Sequence, residues 1–266
     1  MAHDFRLYAH RGASAELPEN TLPAFRRALE IGVDALEMDV HLTRDGHPIV
    51  SHDPDAHRMG GVAAAWRDLD LAEAQRIDLG QGFVDEGGGR PHAGKGIRAP
   101  SFEEVLVELP GVRINVDIKQ WQPPMVRELL RLIRRLKAED RVTLASFQVR
   151  TLLAVRRRGY GGETALARAE VAGLLALPIS AISLLPFVGD AAQVPVRAGP
   201  VVLARPGFLA KCHQLGMRVD FWTINDPAEA RRLVALGADG IMTDDPARLA
   251  PALRDVPRDR DPVAAR

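Results

Sequence analysis

Acidic side chains stand near the ends of apolar segments of the sequence. Glu37 and Asp39 are two residues apart, as are Asp117 and Lys119, so in a β-strand each pair projects from one face. Carboxylates buried side by side repel unless a cation or a proton lies between them, and Mg²⁺ and Ca²⁺ prefer oxygen ligands. The spacing predicts a divalent metal site formed by Glu37, Asp39 and Asp117. Ion pairs with Lys or Arg residues, including a plain Asp117–Lys119 pair, are the alternative.

Two histidines and an arginine stand at comparable points. His10 and Arg11 follow one short apolar run, and His52 follows another. Imidazole exchanges protons near neutral pH, and the guanidinium fork suits phosphate oxygens. His10 taken alone could equally be a hydrogen-bonded structural residue. Together with the carboxylates and Lys119, these side chains indicate metal-assisted phosphoryl chemistry in which histidine supplies both acid and base.

The elements that must position these side chains alternate along the chain. Short β-rich runs followed by amphipathic helical runs predict an α/β fold, a single (β/α)₈ TIM barrel, in which strand ends carry the functional residues. The nine candidate strands are residues 7–9, 35–39, 49–51, 113–118, 142–145, 164–167, 191–194, 219–222 and 240–242. Nine exceeds eight, and Asp45-Gly46 leaves no room for a helix between the second and third runs, so we expect a hairpin or an irregular crossing there.

Helices are expected at residues 21–31, 124–137 and 227–236, where proline or a capping side chain precedes an amphipathic run. Asp226 is expected to cap the last of these helices. Thr21 is interpreted as a helix cap, whereas Glu19 and Asn20 are possible supports of the site.

Two segments interrupt the alternation. Residues 53–99 are rich in glycine, with one short helical piece at 71–76, and predict an insertion over one face after the third strand. Residues 251–266 have no apolar period and predict a flexible C-terminal tail. The domain assignment is therefore a barrel over residues 1–250 followed by the tail.

Composition excludes several classes of protein. The 266 residues include 35 basic and 35 acidic side chains, so no net positive charge is available to attract nucleic acid or an anionic membrane. A single cysteine, Cys212, excludes an internal disulfide. The start of the chain has no apolar signal peptide, which predicts a cytoplasmic protein. Residues 171–188 carry no formal charge, but two prolines there favour a buried helix and loop over a membrane span.

The order of these motifs resembles the glycerophosphodiester phosphodiesterase family. The matching stretches are His10-Arg11-Gly12, Pro18-Glu19-Asn20-Thr21, Glu37-x-Asp39, Leu42-Thr43-Arg44-Asp45-Gly46, Val50-Ser51-His52-Asp53, Asp117-x-Lys119, Ser146-Phe147, Trp222-Thr223-Ile224-Asn225 and Gly237-Ala238-Asp239-Gly240-Ile241-Met242-Thr243-Asp244. The resemblance implies a barrel of the phospholipase C-like type, one divalent metal ion (Mg²⁺ or Ca²⁺, with Mn²⁺ as a further candidate) and hydrolysis of small glycerophosphodiesters to glycerol 3-phosphate and an alcohol.

The resemblance also implies residue roles. Glu37, Asp39 and Asp117 correspond to the metal ligands, and Arg11 and Lys119 to the phosphate-binding cations. His10 and His52 correspond to the general acid and base, in an order that the sequence leaves open. It likewise leaves open whether the glycerol 2-hydroxyl or water attacks. Asp117 departs from the family, which has the longer Glu at this position, so its reach to the metal is shorter.

Other residues carry weaker expectations. Trp222 is interpreted as the floor of the pocket, with ordinary barrel packing as the alternative, and Phe147 and Gln193 as lining residues. Asp244-Asp245-Pro246 is interpreted as a helix cap. The remaining histidines, placed in loops, at solvent-facing positions or in a helix, are assigned no role: His3, His41, His47, His57, His92 and His213.

Two other functions are compatible with these motifs. A lysophospholipase D-like enzyme would act on lysolipids and need an apolar channel, for which residues 53–99 and 171–188 are candidates. A non-catalytic phosphodiester-binding barrel has no use for two proton-transfer histidines. Oligomeric state is not indicated.

Overall fold

Parallel strands and helices alternate along the chain in the computed structural model, which describes residues 4–122, 124–182 and 189–257. The strands are β1 (Arg6–His10), β2 (Ala35–Leu42), β3 (Pro48–Val50), β4 (Arg113–Ile118), β5 (Val142–Ala145), β6 (Ala191–Val194), β7 (Arg197–Ala198), β8 (Val201–Val202), β9 (Arg218–Phe221) and β10 (Gly240–Thr243). The helices are α1 (Leu22–Ile31), α2 (His57–Gly60), α3 (Leu71–Ala74), α4 (Phe102–Glu108), α5 (Val126–Arg135), α6 (Val149–Arg157), α7 (Arg168–Ala176), α8 (Ile179–Ile182), α9 (Pro206–Gln214), α10 (Pro227–Leu236) and α11 (Pro246–Ala252).

Seven strands form a parallel sheet in the order β5-β4-β2-β1-β10-β9-β6. Its two edges are joined through the predicted strand 164–167, which is present only as two bridges, Leu144 with Thr164 and Ala165 with Ala191. This extended segment takes the position of the eighth strand, and with it the sheet closes into a barrel. The (β/α)₈ prediction is therefore confirmed, although the eighth strand is represented by single bridges to its two neighbours.

The ninth predicted strand is the second arm of a hairpin. β3 runs antiparallel to β2, with Val40 opposite Val50 and Leu42 opposite Pro48. Gly46 occupies the turn with a φ of 86°, a left-handed conformation that glycine adopts without steric cost. The hairpin expected at Asp45-Gly46 is thus confirmed, and it leads the chain out of the barrel.

The glycine-rich insertion after β3 has a small core of its own. Trp66 is buried there with Ile49, Leu79 and Ala99, and its indole N–H donates to the carbonyl of Asp53 at 2.9 Å. The predicted helical piece at 71–76 is observed as α3. Helix α2 and two 3₁₀ turns, Trp66–Asp68 and Leu79–Gly82, add structure that the sequence did not indicate. The insertion is therefore anchored beside His52.

Helix ends follow the local chemistry of the sequence. Thr21 caps α1, and Asp226 caps α10 through Ala228 and Glu229, as predicted. The predicted helix 124–137 is shorter and begins at Val126. The hairpin of β7 and β8 was not predicted, because its arms are only two residues long.

Two predicted segments extend beyond the described residues. The uncharged stretch 171–188 enters α7 and α8, and its residues 183–188 lie outside the described chain. Within residues 4–122, 124–182 and 189–257, no helix combines the length and the apolar character that crossing a membrane requires. Of the predicted tail, residues 251–252 belong to α11, and residues 258–266 lie outside the description.

The two faces of the barrel wall differ in polarity. Along β2, Leu36, Met38 and Val40 belong to the apolar core between sheet and helices, whereas Glu37 and Asp39 line the central cavity. This alternation follows from the period of two in a strand. The inner face is therefore polar, and its charges must be compensated within the barrel.

The barrel floor is closed by polar contacts between strands that are distant in sequence. Arg6 lies at the start of β1 and Glu163 just before the eighth strand position, and Arg6 Nη1 is 2.9 Å from Glu163 Oε2. Asp220 accepts from the Tyr8 hydroxyl at 3.3 Å. Gly240 lies directly beside this pair, since a Cβ there would come within 2.4 Å of an Asp220 oxygen.

We predict that Glu163→Gln destabilises the fold in a pH-dependent way. Burial opposes ionisation of Glu163, but its hydrogen bond and charge interaction with Arg6 lower its pKa from 4.5 to about 2. The contribution to stability is complete above pH 4.5 and is lost as pH falls toward 2. With allowance for solvent screening of this half-buried group, we expect a loss of about 1 to 2 kcal/mol at pH 7 in urea unfolding.

The difference in unfolding free energy between the native protein and Glu163→Gln should narrow as the pH is lowered from 7 to 3.5. Glu139→Gln removes a carboxylate from a surface pair with Arg134 and serves as the control, with an expected change below about 0.5 kcal/mol. An equal effect of Glu163→Gln at both pH values would contradict the argument.

Candidate active site

A cavity of about 360 Å³ opens at the carboxyl ends of the barrel strands. All eight predicted site residues line it: His10, Arg11, Glu37, Asp39, His52, Asp117, Lys119 and Trp222. The carboxyl-terminal mouth is where side chains from several strands converge in this fold. The structure therefore brings together residues that are up to 212 positions apart in the sequence.

Asp39 is the most buried carboxylate of the cavity, with a side-chain exposure of 1%. Lys119 Nζ lies 2.9 Å from its Oδ1, and Arg11 Nε lies 3.1 Å from its Oδ2. The Asn20 amide donates to Oδ2 at 2.9 Å. Burial opposes ionisation of Asp39, but Lys119 and Arg11 outweigh it and hold the pKa of Asp39 below its usual value. Asp39 is therefore ionised at neutral pH.

Asp117 shares Lys119 with Asp39. Lys119 Nζ lies 2.7 Å from Asp117 Oδ2, so the ammonium bridges two carboxylates from neighbouring strands. The other oxygen, Oδ1, is buried without a hydrogen-bond partner among the described residues. Burial raises the pKa of Asp117 despite the neighbouring Lys119. One carboxylate oxygen of the cavity is thus left without the polar contact that burial demands.

Glu37 lies between Asp39 and His10. Burial and the charge of Asp39 raise the pKa of Glu37 to about 7. Its Oε2 accepts from the backbone N–H of Arg11 at 3.1 Å and lies 3.8 Å from His10 Nε2. The crowded carboxylates carry an electrostatic cost that added positive charge in the cavity would relieve.

His10 is oriented by Asp244. Its Nδ1 lies 2.7 Å from Asp244 Oδ1, while Asn225 donates to the other oxygen of Asp244 at 2.9 Å. Burial opposes ionisation of Asp244, but these hydrogen bonds lower its pKa. Because an ionised carboxylate only accepts, His10 donates through Nδ1, and its Nε2 faces Glu37 and the cavity.

The interpretation of Asp244 as part of a helix cap was wrong. Asp245 alone caps α11, accepting from Arg248 N–H at 3.0 Å, and Asp244 turns toward His10. The position of Asp244 directly after β10 was the available indication, because His10, Lys119 and Trp222 reach the cavity from comparable positions at other strand ends.

His52 is oriented by the next residue in the chain. Its Nδ1 lies 2.9 Å from Asp53 Oδ1, and Arg58 Nε donates to Asp53 Oδ2 at 2.5 Å. Burial opposes ionisation of Asp53, but His52 and Arg58 lower its pKa, so His52 also donates through Nδ1. Both histidines therefore leave Nε2 for a bound molecule.

Arg58, on helix α2 of the insertion, also reaches the support of Arg11. Its Nη2 donates to Glu19 Oε1 at 2.6 Å, and the same oxygen accepts from Arg11 Nη1 at 3.1 Å. The possible support by Glu19 and Asn20 is thereby observed as contacts with Arg11 and Asp39. Sequence reasoning did not identify Arg58, because nothing in the glycine-rich segment marks one arginine over the others.

The turn after β1 requires unusual backbone geometry. Arg11 and Asn20 have φ values of 59° and 57°, a left-handed conformation that costs free energy in residues with a side chain. Gly12 has a φ of 84°, and a Cβ there would meet the Ala24 backbone at 2.8 Å. The tight packing of this turn against α1 aims Arg11 at Asp39.

An aromatic wall, formed by Trp222 and Phe147, closes one side of the cavity. Their rings meet edge to face with centroids 5.9 Å apart. Lys119 Nζ lies 5.4 Å from the Phe147 centroid, and the Arg168 guanidinium lies 4.5 Å from it. Gln193 also lines the cavity and donates to Asn115 at 2.9 Å. Arg168 was not identified from the sequence.

His41 does not have the exposed position expected from the sequence. It is buried on β2, where its Nε2 lies 3.1 Å from the carbonyl of His52. Burial lowers the pKa of His41, which indicates a neutral structural histidine. His41 therefore helps to position the His52 backbone.

The carboxylates do not form a ready metal cage. Across residues 4–122, 124–182 and 189–257, no three His, Cys, Asp or Glu side chains are gathered as ligands of one ion. The ammonium of Lys119 bridges Asp39 and Asp117 instead, so the predicted ion-pair alternative is observed in this structure.

Comparison with known proteins gives a consistent result. Residues 10–248 match the model of the glycerophosphoryl diester phosphodiesterase family. The chain is 32% identical to a glycerophosphodiester phosphodiesterase of Caldanaerobacter subterraneus subsp. tengcongensis over 92% of this chain and 96% of that protein. It is 28% identical to lysophospholipase D GDPD1 of Homo sapiens over 91% of this chain and 83% of that protein.

A crystal structure of a glycerophosphodiester phosphodiesterase from Thermotoga maritima superposes with a TM-score of 0.73, at 24% identity over 94% of this chain and 99% of that chain. At this identity the likeness concerns the fold alone.

We predict that Asp244→Asn lowers the pKa of His10. Burial favours neutral His10, but Glu37 and Asp244 raise its pKa, so loss of the Asp244 charge should lower the pKa of His10. A pH titration of the His10 ring signals by NMR measures the change. Asp245→Asn is the matched control, because Asn still caps a helix and Asp245 has no contact with His10. An unchanged His10 pKa in Asp244→Asn would show that Asp244 does not control this imidazole.

Proposed function

The chain belongs to the glycerophosphoryl diester phosphodiesterase family and is a phosphodiesterase, and from this premise we propose that it hydrolyses glycerophosphodiesters to glycerol 3-phosphate and an alcohol. The observation that carries the proposal is the pair of aspartate-held histidines in one cavity. His10 and His52 each donate Nδ1 to a carboxylate, and each lines the cavity that also contains Glu37, Asp39 and Asp117.

Two imidazoles held in this way suit a reaction that needs one proton removed and another supplied. One histidine accepts the proton of the attacking oxygen through Nε2, and the other donates a proton to the departing alkoxide of the head group. Attack by water gives glycerol 3-phosphate directly, whereas attack by the glycerol 2-hydroxyl gives a cyclic phosphate that water opens in a second step. Asp244 and Asp53 fix the tautomer and stabilise the imidazolium form that arises in the cycle. Both histidines therefore need their partner carboxylates in place.

We propose that Arg11 and Lys119 bind the phosphate oxygens. Both cations line the cavity and approach Asp39 from different sides, so an anion entering beside them meets positive charge already held in place. Such prepositioned charge stabilises the additional negative charge on the phosphoryl oxygens in the transition state. Trp222, at the wall, offers an apolar surface to the carbon atoms of glycerol or of the head group.

We further propose that Glu37, Asp39 and Asp117 hold one divalent cation. The fit rests on their chemistry: three buried carboxylates, a partnerless oxygen on Asp117 and a pKa of Glu37 raised to about 7 by burial and Asp39. Oxygen donors suit Mg²⁺ or Ca²⁺, with Mn²⁺ as a further candidate. A bound cation supplies positive charge to the phosphoryl group. Lys119 contacts Oδ2 of Asp117, so Oδ1 is the oxygen that Asp117 offers to a cation.

The test is release of glycerol 3-phosphate from glycerophosphoethanolamine by purified protein. We expect turnover that is lost with EDTA and restored by Mg²⁺, Ca²⁺ or Mn²⁺. His10→Ala and His52→Ala should each reduce kcat by about 10²-fold or more, whereas His213→Ala, on helix α9, should not. Calorimetry with each metal measures binding separately from turnover.

Two outcomes would contradict the proposal. Folded protein that turns over neither glycerophosphoethanolamine nor glycerophosphoserine under any metal would contradict the hydrolysis of glycerophosphodiesters. Turnover of lysophosphatidylethanolamine alone, which differs from the first substrate by an acyl chain, would assign the lysophospholipase D activity that the name of the human relative describes.

The insertion gives a second prediction. Arg58→Gln removes the cation that holds both Asp53 and Glu19, so His52 and Arg11 lose their orientation together. We expect kcat to fall about 10-fold, with a smaller change in KM, since Arg58 is absent from the lining of the cavity. Steady-state kinetics separates the two effects.

Arg67→Gln, at an exposed arginine of the same insertion, is the control. Arg67 lies 4.0 Å from the adjacent Asp68. Its replacement should leave kcat and KM unchanged. If Arg58→Gln and the native protein had equal kcat and KM, the insertion would not be what orients His52 and Arg11.

A further inference from the structure

Arg168 differs from the other cations of the cavity in what surrounds it. Arg11 contacts Glu19 and Asp39, and Lys119 contacts Asp39 and Asp117. Among the ion pairs of the residues described here, none includes Arg168. The nearby Glu170 is held by Arg156 instead. Arg168 rests on the Phe147 ring and lines the cavity with its charge uncompensated by a carboxylate.

The position of Arg168 places this charge beside the phosphate-binding centre. Phe147 contacts Lys119 and Arg168 at centroid distances of 5.4 and 4.5 Å. The two cations are therefore no farther apart than the sum of those lengths. A molecule whose phosphate is held at Lys119 can reach Arg168 with a group a few bonds beyond the phosphate.

The glycerol half of the substrate gives Arg168 nothing to distinguish. Glycerol is neutral in every glycerophosphodiester, and the diester phosphate is common to all of them. An additional cation on the cavity wall discriminates between substrates most strongly through a charge on the head group. Repulsion disfavours a cationic head group there, and attraction favours an anionic one.

The Phe147 ring of the aromatic wall does not offset this preference. Two aromatic rings at a cavity wall could bind a quaternary ammonium by cation–π interaction. Arg168 already occupies the site over the Phe147 ring, and Lys119 lies on the same ring. A trimethylammonium group would have to displace a guanidinium or share its face.

We propose that Arg168, supported by Phe147, is a specificity-determining residue that selects glycerophosphodiesters whose head group carries an additional carboxylate or phosphate. This inference rests on the proposed function, because it concerns the leaving-group side of the same cavity. The chemistry recognised is an anionic oxygen group, and carboxylate and phosphate are its two sources.

Matched substrates isolate the head-group charge. Glycerophosphoserine differs from glycerophosphoethanolamine by one carboxylate, and glycerophosphoinositol 4-phosphate differs from glycerophosphoinositol by one phosphate. The ratio of kcat/KM within each pair measures the preference. We expect each ratio to exceed one in the native protein and to fall about fivefold in Arg168→Gln, the range of a partly exposed ion pair. A fall in one pair alone identifies carboxylate or phosphate as the recognised group.

Arg157→Gln is the control variant. Arg157 is an exposed arginine at the far end of α6, away from the cavity, and its ratios should equal those of the native protein. Arg168→Lys keeps the charge and should retain part of the preference.

Two results would overturn the inference. If Arg168→Gln lowered kcat/KM equally for both members of each pair, Arg168 would serve the common phosphate and not the head group. If both ratios were unchanged, it would serve neither. Absence of turnover with all four substrates would instead overturn the proposed function, and this inference with it.

Discussion

The buried charge of Asp39 is the constraint on which the mouth of the barrel depends. A carboxylate at 1% side-chain exposure is tolerated only where hydrogen bonds and opposite charges replace water. Its partners come from three segments: Arg11 after β1, Asn20 before α1 and Lys119 after β4. Satisfying one side chain therefore fixes the turn after β1 relative to a strand two places along the sheet. The left-handed backbone of Arg11 and Asn20 is the local cost of bringing both to the same carboxylate.

A series of ion pairs, alternating between basic and acidic side chains, extends outward from Asp39. Arg11 contacts Glu19, Glu19 contacts Arg58, and Arg58 contacts Asp53, the partner of His52. Arg11, Glu19 and Arg58 each have an opposite charge on either side, so loss of one leaves its neighbours poorly compensated. The series passes from the barrel into α2 and back. The insertion is thus part of the electrostatic structure of the cavity, although it lies outside the barrel in the chain.

The features that the sequence predicted were those set by local rules. Strand β4 and helix α10 were located to the residue, because alternation and capping act over a few positions. The convergence of His10, Glu37, Asp117 and Trp222 followed from parallel strands ending at one edge. What could not be predicted depends on long-range contacts. Arg58 joins Asp53 to the distant Glu19, and Arg168 rests on the ring of the distant Phe147. Asp244 differs from Asp245 only in the direction its side chain takes after β10.

The two histidines have different supports, and the difference follows from topology. His10 is held by Asp244, which lies at the end of the strand beside β1 in the closed barrel, so its orientation belongs to the scaffold. His52 follows β3, which pairs antiparallel with β2, bridges Ser101 before α4 and stands outside the series of parallel strands. No neighbouring barrel strand is therefore available to carry its partner. The partner of His52 is instead the adjacent Asp53. Arg58 holds the Asp53 carboxylate, and Trp66 donates to the Asp53 carbonyl. The hairpin that removes β3 from the barrel is thus the reason that an ordered insertion is needed at the cavity.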